Sequence, residues 1–474
     1  MSKDLFASHR KKVSEISAVV KAWNLNNSNM KKRELKIYHG STHSTRKKQG
    51  GEYIDIISLN RVISIDPEEK TAVAESNVSM DALISETLRH GLIPQVVTEF
   101  PGITVGGAIQ GAALESSSFK FGQFNAAALE YEVITGQGEI IVCSKTKNQD
   151  LFYGMTGSYG TLGLLMSVKL QLIQARKFIK LLYLRVDSFN QAIEKINACS
   201  RDCDYIDAIM FSSTKGVVMV GKSVDCGEEK IQSFAGAIDP WFYNHAQELT
   251  EKYSVYSELI PVRDYVFRYN RGAFWMGDYF FKIMKIPGNR VFKTIFNPFL
   301  NTRKLYEVLH SMGWTQRFFI QDIYFPINKV EQYLQFVNDR LAIYPIWLCP
   351  ITNTHDPEKL SPNYSDEDAL VNVGVWGALP TGSNYIQTNR DMEALTEDLG
   401  GRKMLYAQNF YSENVFWRIY ECEWYKQLRA KYHADEIFPD IYKKISVEAR
   451  PQGTPFTGFL KLLWSFFTLK NINS

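Results

Sequence analysis

A glycine-rich segment with embedded serines, residues 101–122 (PGITVGGAIQGAALESSSFKFG), constrains the fold of this 474-residue chain more than any other feature. Strand-like runs lie on either side of it. Glycine lets a backbone approach a ligand closely and adopt positive φ without a steric penalty. Serine hydroxyls and free backbone N–H groups supply hydrogen-bond donors for an anion. The segment is therefore suited to hold the pyrophosphate and ring of a dinucleotide, although an ordinary turn is the competing interpretation of any one glycine cluster.

Two other segments support a nucleotide site. Residues 157–163 (GSYGTLG) form a second glycine cluster, and residues 39–45 (HGSTHST) form a small, hydroxyl-rich loop that is typical of an anion-binding turn. The chain contains neither the G-x-G-x-x-G pattern nor a Walker A motif, which excludes the usual Rossmann and P-loop signatures.

The length favours two domains, and the content of 45% hydrophobic and 22% charged residues is that of a globular protein. A net charge of +3 and the absence of a basic stripe with stacking aromatics argue against nucleic acid as a partner. Strand and helix patterns predict an α+β fold. We expect a first domain over residues 1–175 that begins with a helix near residues 4–23, a second over 176–450, and an apolar C-terminal segment over 451–474.

Several local predictions follow the same patterns. A helix is expected over residues 80–90, and strands over the apolar runs near residues 164–173 and 318–327. The acidic, proline-bearing stretch 356–368 is expected to be a surface loop. Six cysteines without framework spacing indicate reduced thiols and an intracellular protein, and no metal site is predicted. We expect no signal peptide and no transmembrane helix, and a cytoplasmic or peripheral location. The C-terminal segment could lie in a membrane surface or dock on the core.

The order of these segments resembles that of the vanillyl-alcohol-oxidase-type flavoproteins, and residues 37–449 resemble the delta-24-sterol reductases. The TVGG block at residues 104–107 and the GTLG block at residues 160–163 are shared by many flavoenzymes. The blocks that are specific to the subgroup are residues 240–242 (PWF) and 344–350 (YPIWLCP). Further matches are residues 115–118 (ESSS), 150–153 (DLFY), 404–407 (MLYA) and 438–439 (FP).

The resemblance implies a PCMH-type FAD-binding domain of two subdomains, followed by an α+β cap that holds the substrate. It implies bound FAD, NADPH as electron donor and reduction of the 24,25 double bond of a sterol side chain. Two alternatives stay open, namely another FAD-dependent oxidase or dehydrogenase of this type and a flavin-fold lipid binder without turnover. The resemblance leaves the choice of sterol and the oligomeric state undecided.

The cofactor-binding residues implied by the resemblance lie in three places. They are Gly40, Ser41, Thr42, His43 and Ser44; Thr104, Val105, Gly106, Gly107, Ala108, Ile109, Gln110, Gly111, Ala112, Ala113, Leu114, Glu115, Ser116, Ser117, Ser118 and Gly122; and Gly160, Thr161 and Gly163. The stretch from Thr104 to Ser116 is expected over the pyrophosphate and ring. His43 could attach the flavin covalently or simply line the phosphate loop. Lys120 could pair with a phosphate or face solvent.

Reduction of an isolated alkene requires a general acid in a dry apolar pocket. The candidates are Tyr406, Tyr411 and Glu423, which lie in the matched C-terminal part of the cap. A structural role is the alternative for each, because a buried tyrosine commonly just satisfies its hydroxyl. Gln321 and Asp322 also match the family and could orient a donor or a water molecule.

Overall fold

The computed structural model of the protein describes residues 2–27, 34–40, 51–297, 300, 302 and 318–447. The fold class is α+β, as predicted. The strands are β1 (Leu35–Tyr38), β2 (Glu52–Asp55), β3 (Val62–Asp66), β4 (Thr71–Glu75), β5 (Leu92–Pro94), β6 (Ala128–Ile134), β7 (Ile140–Ser144), β8 (Leu164–Gln174), β9 (Phe178–Val186), β10 (Tyr205–Ser212), β11 (Lys215–Val224), β12 (Val255–Pro261), β13 (Phe318–Pro326), β14 (Ile346–Thr352), β15 (Ala369–Ala378) and β16 (Arg402–Lys403).

Helices connect and cover these strands. They are α1 (Ser2–Asn27), α2 (Met80–Leu88), α3 (Val105–Gln110), α4 (Ser118–Phe121), α5 (Gln149–Gly154), α6 (Phe189–Cys199), α7 (Phe242–Lys252), α8 (Val262–Val266), α9 (Met276–Met284), α10 (Arg290–Phe296), α11 (Val330–Phe336), α12 (Tyr385–Asp398), α13 (Glu413–Ile419), α14 (Cys422–Lys431), α15 (Ala434–Ile437) and α16 (Ile441–Ile445). A π-helical turn, Val337–Leu341, extends α11. Across the described ranges no helix has both the length and the apolar character needed to cross a membrane.

The first sheet has the strand order β3-β4-β8-β6-β7, with β5 paired to β8. Strand β8 is its centre, because it is antiparallel to β4, β5 and β6 at once. Residues 164–168 of this strand are all buried, whereas burial alternates from Lys169 onward, as expected for a strand with one face on the core. Strands β1 and β2 form a separate parallel pair.

Helix α1 is fixed to this sheet by a buried histidine. His9 Nδ1 lies 3.0 Å from Glu75 Oε1, and His9 Nε2 lies 2.7 Å from Glu132 Oε2. Burial alone would lower the pKa of His9, but the hydrogen bonds and charges of Glu132 and Glu75 outweigh it and raise the pKa to about 9. The imidazole is therefore charged at neutral pH and pairs with both carboxylates.

The second sheet follows the order β12-β9-β11-β10-β14-β15-β13-β16 and is antiparallel throughout. Its side chains alternate between two layers, as the pleat requires. Ile323, Leu348 and Val373 pack into a core with helices α6, α11 and α12. Tyr324, Trp347 and Trp376, on the opposite face, pack into the core shared with the first sheet. Functional side chains on this second face therefore look toward the first domain.

Residues 175–177 connect the last strand of the first sheet, β8, to the first strand of the second sheet, β9. The C-terminal helices return to the first domain. Arg429 of α14 donates to the carbonyl of Thr161 at 2.7 Å, and Tyr432 donates to Asp150 at 2.8 Å. Residues 451–474 lie outside the described residues.

The prediction of a surface loop at residues 356–368 is wrong for its first half. Glu358, Leu360 and Ser361 are buried. Glu358 accepts hydrogen bonds from Asn125 at 2.7 Å and from Thr156 at 2.9 Å, both in the first domain. Proline and acidic residues in this stretch predicted a solvent-exposed loop. In the structure the carboxyl group of Glu358 instead accepts hydrogen bonds from the buried side chains of Asn125 and Thr156. Burial raises the pKa of Glu358 to about 8.

Candidate functional site

The glycine-serine segment folds as two short helices joined by a turn. Thr104 caps α3, because its Oγ1 accepts from the Gly107 N–H at 3.1 Å. The Gly106 N–H donates to the carbonyl of Ser76 at 2.7 Å. A Cβ at Gly106 would lie 2.9 Å from both Ser76 Cβ and Ser76 O, so glycine is required for this close approach. The sequence thereby packs α3 against the end of β4.

Gly107 is the exposed position of this helix. It is exposed, whereas Gly106 and Ala108 on either side are buried. The backbone at the start of α3 is therefore accessible, because Gly107 has no side chain to cover it. The N-terminal end of a helix also carries the positive end of the helix dipole. These features fit the predicted role of the segment in holding an anionic dinucleotide.

The two glycine segments are in contact in the structure. Tyr159 Oη donates to the carbonyl of Gly111 at 3.2 Å, and Ser158 Oγ lies 3.5 Å from Gln110 Oε1. Gly160, Thr161 and Gly163 are buried beside them. Of the third predicted segment, Gly40 is described and has a φ of 70°. Ser41, Thr42, His43 and Ser44 lie outside the described residues, and so does the hypothesis of a covalent bond at His43.

The serines of the segment use their side chains within the protein. Ser116 Oγ donates to Glu115 and lies 3.0 Å from Tyr265 Oη. Ser117 Oγ donates to the carbonyl of Gln95 at 2.8 Å, and Ser118 Oγ accepts from the Glu115 N–H at 3.0 Å. These hydroxyls therefore shape the segment. Lys120 pairs with Asp204 at 3.0 Å near the surface.

A buried ionic cluster joins this segment to the cap. Arg268, which follows α8, places Nη2 2.9 Å from Glu115 Oε1 and 3.0 Å from Asp207 Oδ2. Asp207 Oδ2 also accepts from Tyr269 Oη at 2.6 Å and from Trp347 Nε1 at 3.0 Å. Burial acts to lower the pKa of Arg268, but Glu115 and its other neighbours outweigh it and raise the pKa. The guanidinium therefore stays charged between the two carboxyl groups.

A second polar cluster lies on the same face of the cap sheet. Asp322 of β13 accepts from Asn372 at 2.8 Å, from Trp376 at 2.9 Å and from Tyr406 at 2.5 Å. Burial raises the pKa of Asp322, although the three donors oppose that rise. A Cβ at Gly374 would lie 2.7 Å from Asp322 Oδ1, so this glycine makes room for the carboxyl group.

Aromatic rings separate the two polar clusters. Phe274 lies 5.7 Å from Phe100, 5.3 Å from Trp347 and 5.0 Å from Trp376, measured between ring centroids. Tyr269 stacks on Phe274 at 4.1 Å. We call these five rings the aromatic wall. These rings are buried, and they give the junction of the two domains an apolar core with hydrogen-bonding groups at its edges.

The three predicted acids lie in different environments. Tyr406 belongs to the Asp322 cluster. Tyr411 is buried close to the buried ion pair of Lys403 and Glu393, with Lys403 Nζ 5.5 Å from its ring centroid. The Glu423 side chain is 79% exposed and pairs with Lys426, so the structure does not place it in an apolar pocket. Gln321 lies on the opposite side of β13 from Asp322 and donates to Asn389 at 2.9 Å.

Sequence reasoning missed Asp207, Arg268, Asn372 and Trp376, which belong to the two polar clusters. A charge within an aromatic run, as in YVFRYN around Arg268, was an available signal, because a buried charge needs a dedicated partner. Within the described ranges no group of three or more histidine, cysteine or acidic residues could hold a metal ion.

Comparisons with known proteins agree with this arrangement. Residues 11–144 match the family described as FAD binding domain. The Delta(24)-sterol reductase of Mus musculus is 29% identical over 407 residues, which covers 83% of this chain and 78% of the mouse protein. The Delta(24)-sterol reductase homolog dhcr-24 of Caenorhabditis elegans is 28% identical over 480 residues, or 93% and 88% of the two chains. Cytokinin dehydrogenase 4 of Oryza sativa is 32% identical over 139 residues, or 29% of this chain.

The matched domain and the fold define the class: the chain is an FAD-dependent oxidoreductase with a vanillyl-alcohol-oxidase-type FAD-binding domain. Within that class it is a relative of the Delta(24)-sterol reductases, and the similarity extends through the cap. FAD is its cofactor.

Proposed function

We propose that the protein reduces the 24,25 double bond of a sterol side chain, with NADPH as the electron donor. The similarity to Delta(24)-sterol reductases over both domains supports a sterol as the substrate class. The observation in the structure that carries the proposal is the aromatic wall. A rigid, flat hydrocarbon is bound best by concave apolar surface with few polar groups, and the wall offers that composition at the domain junction.

We propose that FAD is held by the segment from Thr104 to Ser118, by Gly122, and by Gly160, Thr161 and Gly163, together with residues 40–44. The exposed backbone at Gly107 and the contact between the two glycine segments support this proposal. FAD, when bound, supplies the hydride for the reduction. The protein's own residues bind and orient the alkene, exclude water from it and deliver the proton.

We propose Tyr406 and Tyr411 as the candidate proton donors. Tyr406 is hydrogen-bonded to Asp322 on the cap face that looks toward the first domain. Burial raises the pKa of Tyr411, which makes it a weak acid. The exposure of the Glu423 side chain and its partner Lys426 argue against a role for Glu423 in proton delivery.

An anaerobic experiment tests the function. The purified protein is titrated with NADPH and its visible flavin bands are followed. Desmosterol is then added, and cholesterol, whose side chain is saturated, serves as the control. Bleaching by NADPH followed by recovery with desmosterol and not with cholesterol is the expected result. Bleaching without recovery by any sterol would discard the substrate, and comparison with NADH would test the donor.

A second candidate function is that of another FAD-dependent dehydrogenase or oxidase, which the similarity to cytokinin dehydrogenase favours. In that case the oxidised flavin would be bleached by an alcohol or amine substrate without NADPH. A colour change of this kind, with no response to sterols, would select this alternative.

A further inference from the structure

Three strongly exposed apolar side chains cluster on helix α10 and on the loop beside it. Ile238, Val291 and Ile295 are 69%, 64% and 60% exposed. Val291 and Ile295 are four residues apart in α10 and therefore share one face of the helix. The backbone at Ile238 lies against the start of α10, because Arg290 donates to the carbonyl of Ile238 at 3.2 Å. Single exposed apolar residues are ordinary, whereas a group of them marks an interaction surface.

A neighbouring face of α10 packs on the protein. The Phe296 ring lies 5.8 Å from that of Phe281 in α9, between centroids, and Phe292 packs against the main core. A surface helix of a globular protein normally carries polar residues on the side that faces away from the core. Helix α10 instead leaves Val291 and Ile295 on that side, so packing among the described residues does not account for their apolar character.

The exposed cluster is held in place by hydrogen bonds and an ion pair. Arg271 donates to the carbonyl of Asp239 at 2.9 Å, in the loop next to Ile238, and to Asn297 Oδ1 at 3.0 Å, just after α10. Lys293 of α10 pairs with Asp278 of α9 at 2.7 Å. The loop, α9 and α10 are therefore joined to one another, and the cluster is a fixed surface.

The charge around the cluster is positive. Lys282, Lys285 and Arg290 are exposed, and none of them forms a salt bridge within the described part of the chain. The fourth basic residue of the two helices, Lys293, is paired with Asp278. No acidic residue follows Asp278 before the end of α10. Exposed apolar side chains with unpaired cations beside them complement the anionic headgroups and the apolar interior of a lipid leaflet.

We propose that this surface is a docking face for a lipid bilayer that contains anionic lipids. The docking face consists of Ile238, Val291 and Ile295 with Lys282, Lys285 and Arg290. The apolar side chains enter the boundary between headgroups and acyl chains, while the lysines and the arginine keep their charges among the headgroup phosphates. A sterol is itself a bilayer lipid, so the choice of a membrane over a protein partner rests on the proposed function.

Helix α9 connects the docking face with the aromatic wall. Trp275, which precedes the helix, donates to the carbonyl of Trp376 at 2.6 Å, and its ring lies 5.4 Å from that of Phe274. Near the other end of α9, Phe281 contacts α10. A helix of nine residues is about 13 Å long, so the two ends of α9 are separated by about that distance. The docking face thereby holds the cap, which carries most of the wall, against the lipid that contains the substrate.

Co-sedimentation with phosphatidylcholine vesicles that contain about 30% phosphatidylserine tests the docking face. Wild type should bind, and its binding should weaken when NaCl is raised to about 0.5 M, because salt screens the charges. The variant Val291→Ser/Ile295→Ser should bind at least about tenfold more weakly, since it loses apolar burial in the leaflet. Val19→Ser/Ile140→Ser changes two exposed apolar positions of the first domain and should bind like wild type.

Replacement of the three basic residues of the docking face by glutamine tests the charge. Each basic residue near an anionic surface contributes about fivefold, so the triple variant should bind about 100-fold more weakly. The loss should shrink on vesicles of phosphatidylcholine alone. Lys11→Gln/Arg89→Gln/Lys147→Gln removes the same charge from exposed positions of the first domain and is the matched control. The visible flavin spectrum and the melting temperature check that every variant is folded.

Turnover separates docking from chemistry. Desmosterol is supplied either in the vesicles or as a cyclodextrin complex. Val291→Ser/Ile295→Ser should reduce vesicle-borne desmosterol at least about tenfold more slowly than wild type, and should match wild type with the cyclodextrin complex. If no sterol reacts from either source, the proposed reduction fails, and the vesicle binding of the variants still decides on the docking face.

Equal vesicle binding by wild type and by both docking-face variants would overturn the inference, and so would a wild-type protein that binds no vesicles. The oligomeric state of wild type and Val291→Ser/Ile295→Ser is compared by size-exclusion chromatography with light scattering. A smaller assembly in the variant, with unchanged vesicle binding, would mean that a second copy of the chain covers this surface, and the inference would fail.

Discussion

Arg268 Nη2 lies 2.9 Å from Glu115 Oε1, and both side chains are almost completely buried. The pair connects the glycine-serine segment of the first domain with the cap. Asp207 of strand β10 is the second carboxylate partner of Arg268. Three aromatic rings, those of Tyr265, Tyr269 and Phe242, lie within 5.3 Å of the guanidinium carbon. Removal of the guanidinium would leave the carboxyl groups of Glu115 and Asp207 buried without their counter-ion.

We expect Arg268→Gln to lower the free energy of unfolding by about 3–5 kcal/mol, because breaking a buried ion pair leaves an uncompensated charge. Denaturant unfolding followed by tryptophan fluorescence measures the change. Arg418→Gln is the control, since Arg418 is 64% exposed and pairs with Glu397 at the surface. The variant Arg418→Gln should lower the free energy of unfolding by no more than about 1 kcal/mol. Similar losses in the two variants would contradict the role of Arg268.

The variant His9→Gln should destabilise the protein in a pH-dependent way. The pKa of His9 is about 9 when folded and 6.5 when unfolded, so its contribution is complete below 6.5 and is lost as the pH rises through 9. The melting temperatures of wild type and His9→Gln should therefore converge toward alkaline pH. His90→Gln serves as the control because His90 is exposed. A difference that stays constant from neutral to alkaline pH would show that His9 is not charged in the folded state.

Glu358→Gln should stabilise the protein increasingly as the pH rises. The pKa of Glu358 is about 8 in the folded state and 4.5 in the unfolded state. Between pH 4.5 and about 8 the folded state therefore binds more protons than the unfolded state. Wild-type stability then falls with rising pH across this window by up to about 1.4 kcal/mol per pH unit from this group. The glutamine variant should lack that fall. Glu367→Gln, exposed in the same loop, should follow wild type; a parallel profile for Glu358→Gln would mean that the carboxyl group is ionised when buried.

Gly107→Ala should lower the fraction of protein that retains FAD. A methyl group there would fill space that the exposed backbone leaves to a ligand. It would also lie 2.9 Å from Thr104 Oγ1, so the helix cap would have to shift, and the better helix propensity of alanine offsets part of that cost. The ratio of flavin to protein absorbance measures retention. Gly288→Ala is the control, since its nearest contact would be 3.9 Å away. Full retention in Gly107→Ala would place the cofactor elsewhere.

Local patterns predicted much of the fold. The buried runs of β8 and β13 were expected as strands because apolar residues continue for most of their length. Helix α2 was expected over residues 80–90 and ends at Leu88, just before Gly91 with a φ of 68°. Periodicity and turn residues are local properties, so the sequence is sufficient to predict them.

The site was harder to predict because it depends on residues that are distant in the chain. Asp322 obtains its partners from Asn372, Trp376 and Tyr406, and only strand pairing brings them together. Tyr406 was singled out through family resemblance, whereas Arg268 was missed because its two carboxyl partners lie 61 and 153 residues away. Glu358 was taken for a solvent-exposed residue for the same reason: composition does not report which donors a loop will meet.

The pleat of the cap sheet determines which length changes its strands can tolerate. Asp322 faces the first domain and Ile323, its neighbour, faces the helices. Inserting one residue before Asp322 in β13 would exchange the two orientations. The carboxyl group would then point into the apolar core under the helices, and the isoleucine would point toward Trp376. Two inserted residues would preserve the orientation of both. In homologous enzymes, insertions and deletions within this strand should therefore occur in even numbers of residues. The loops at its ends can change length by any number of residues.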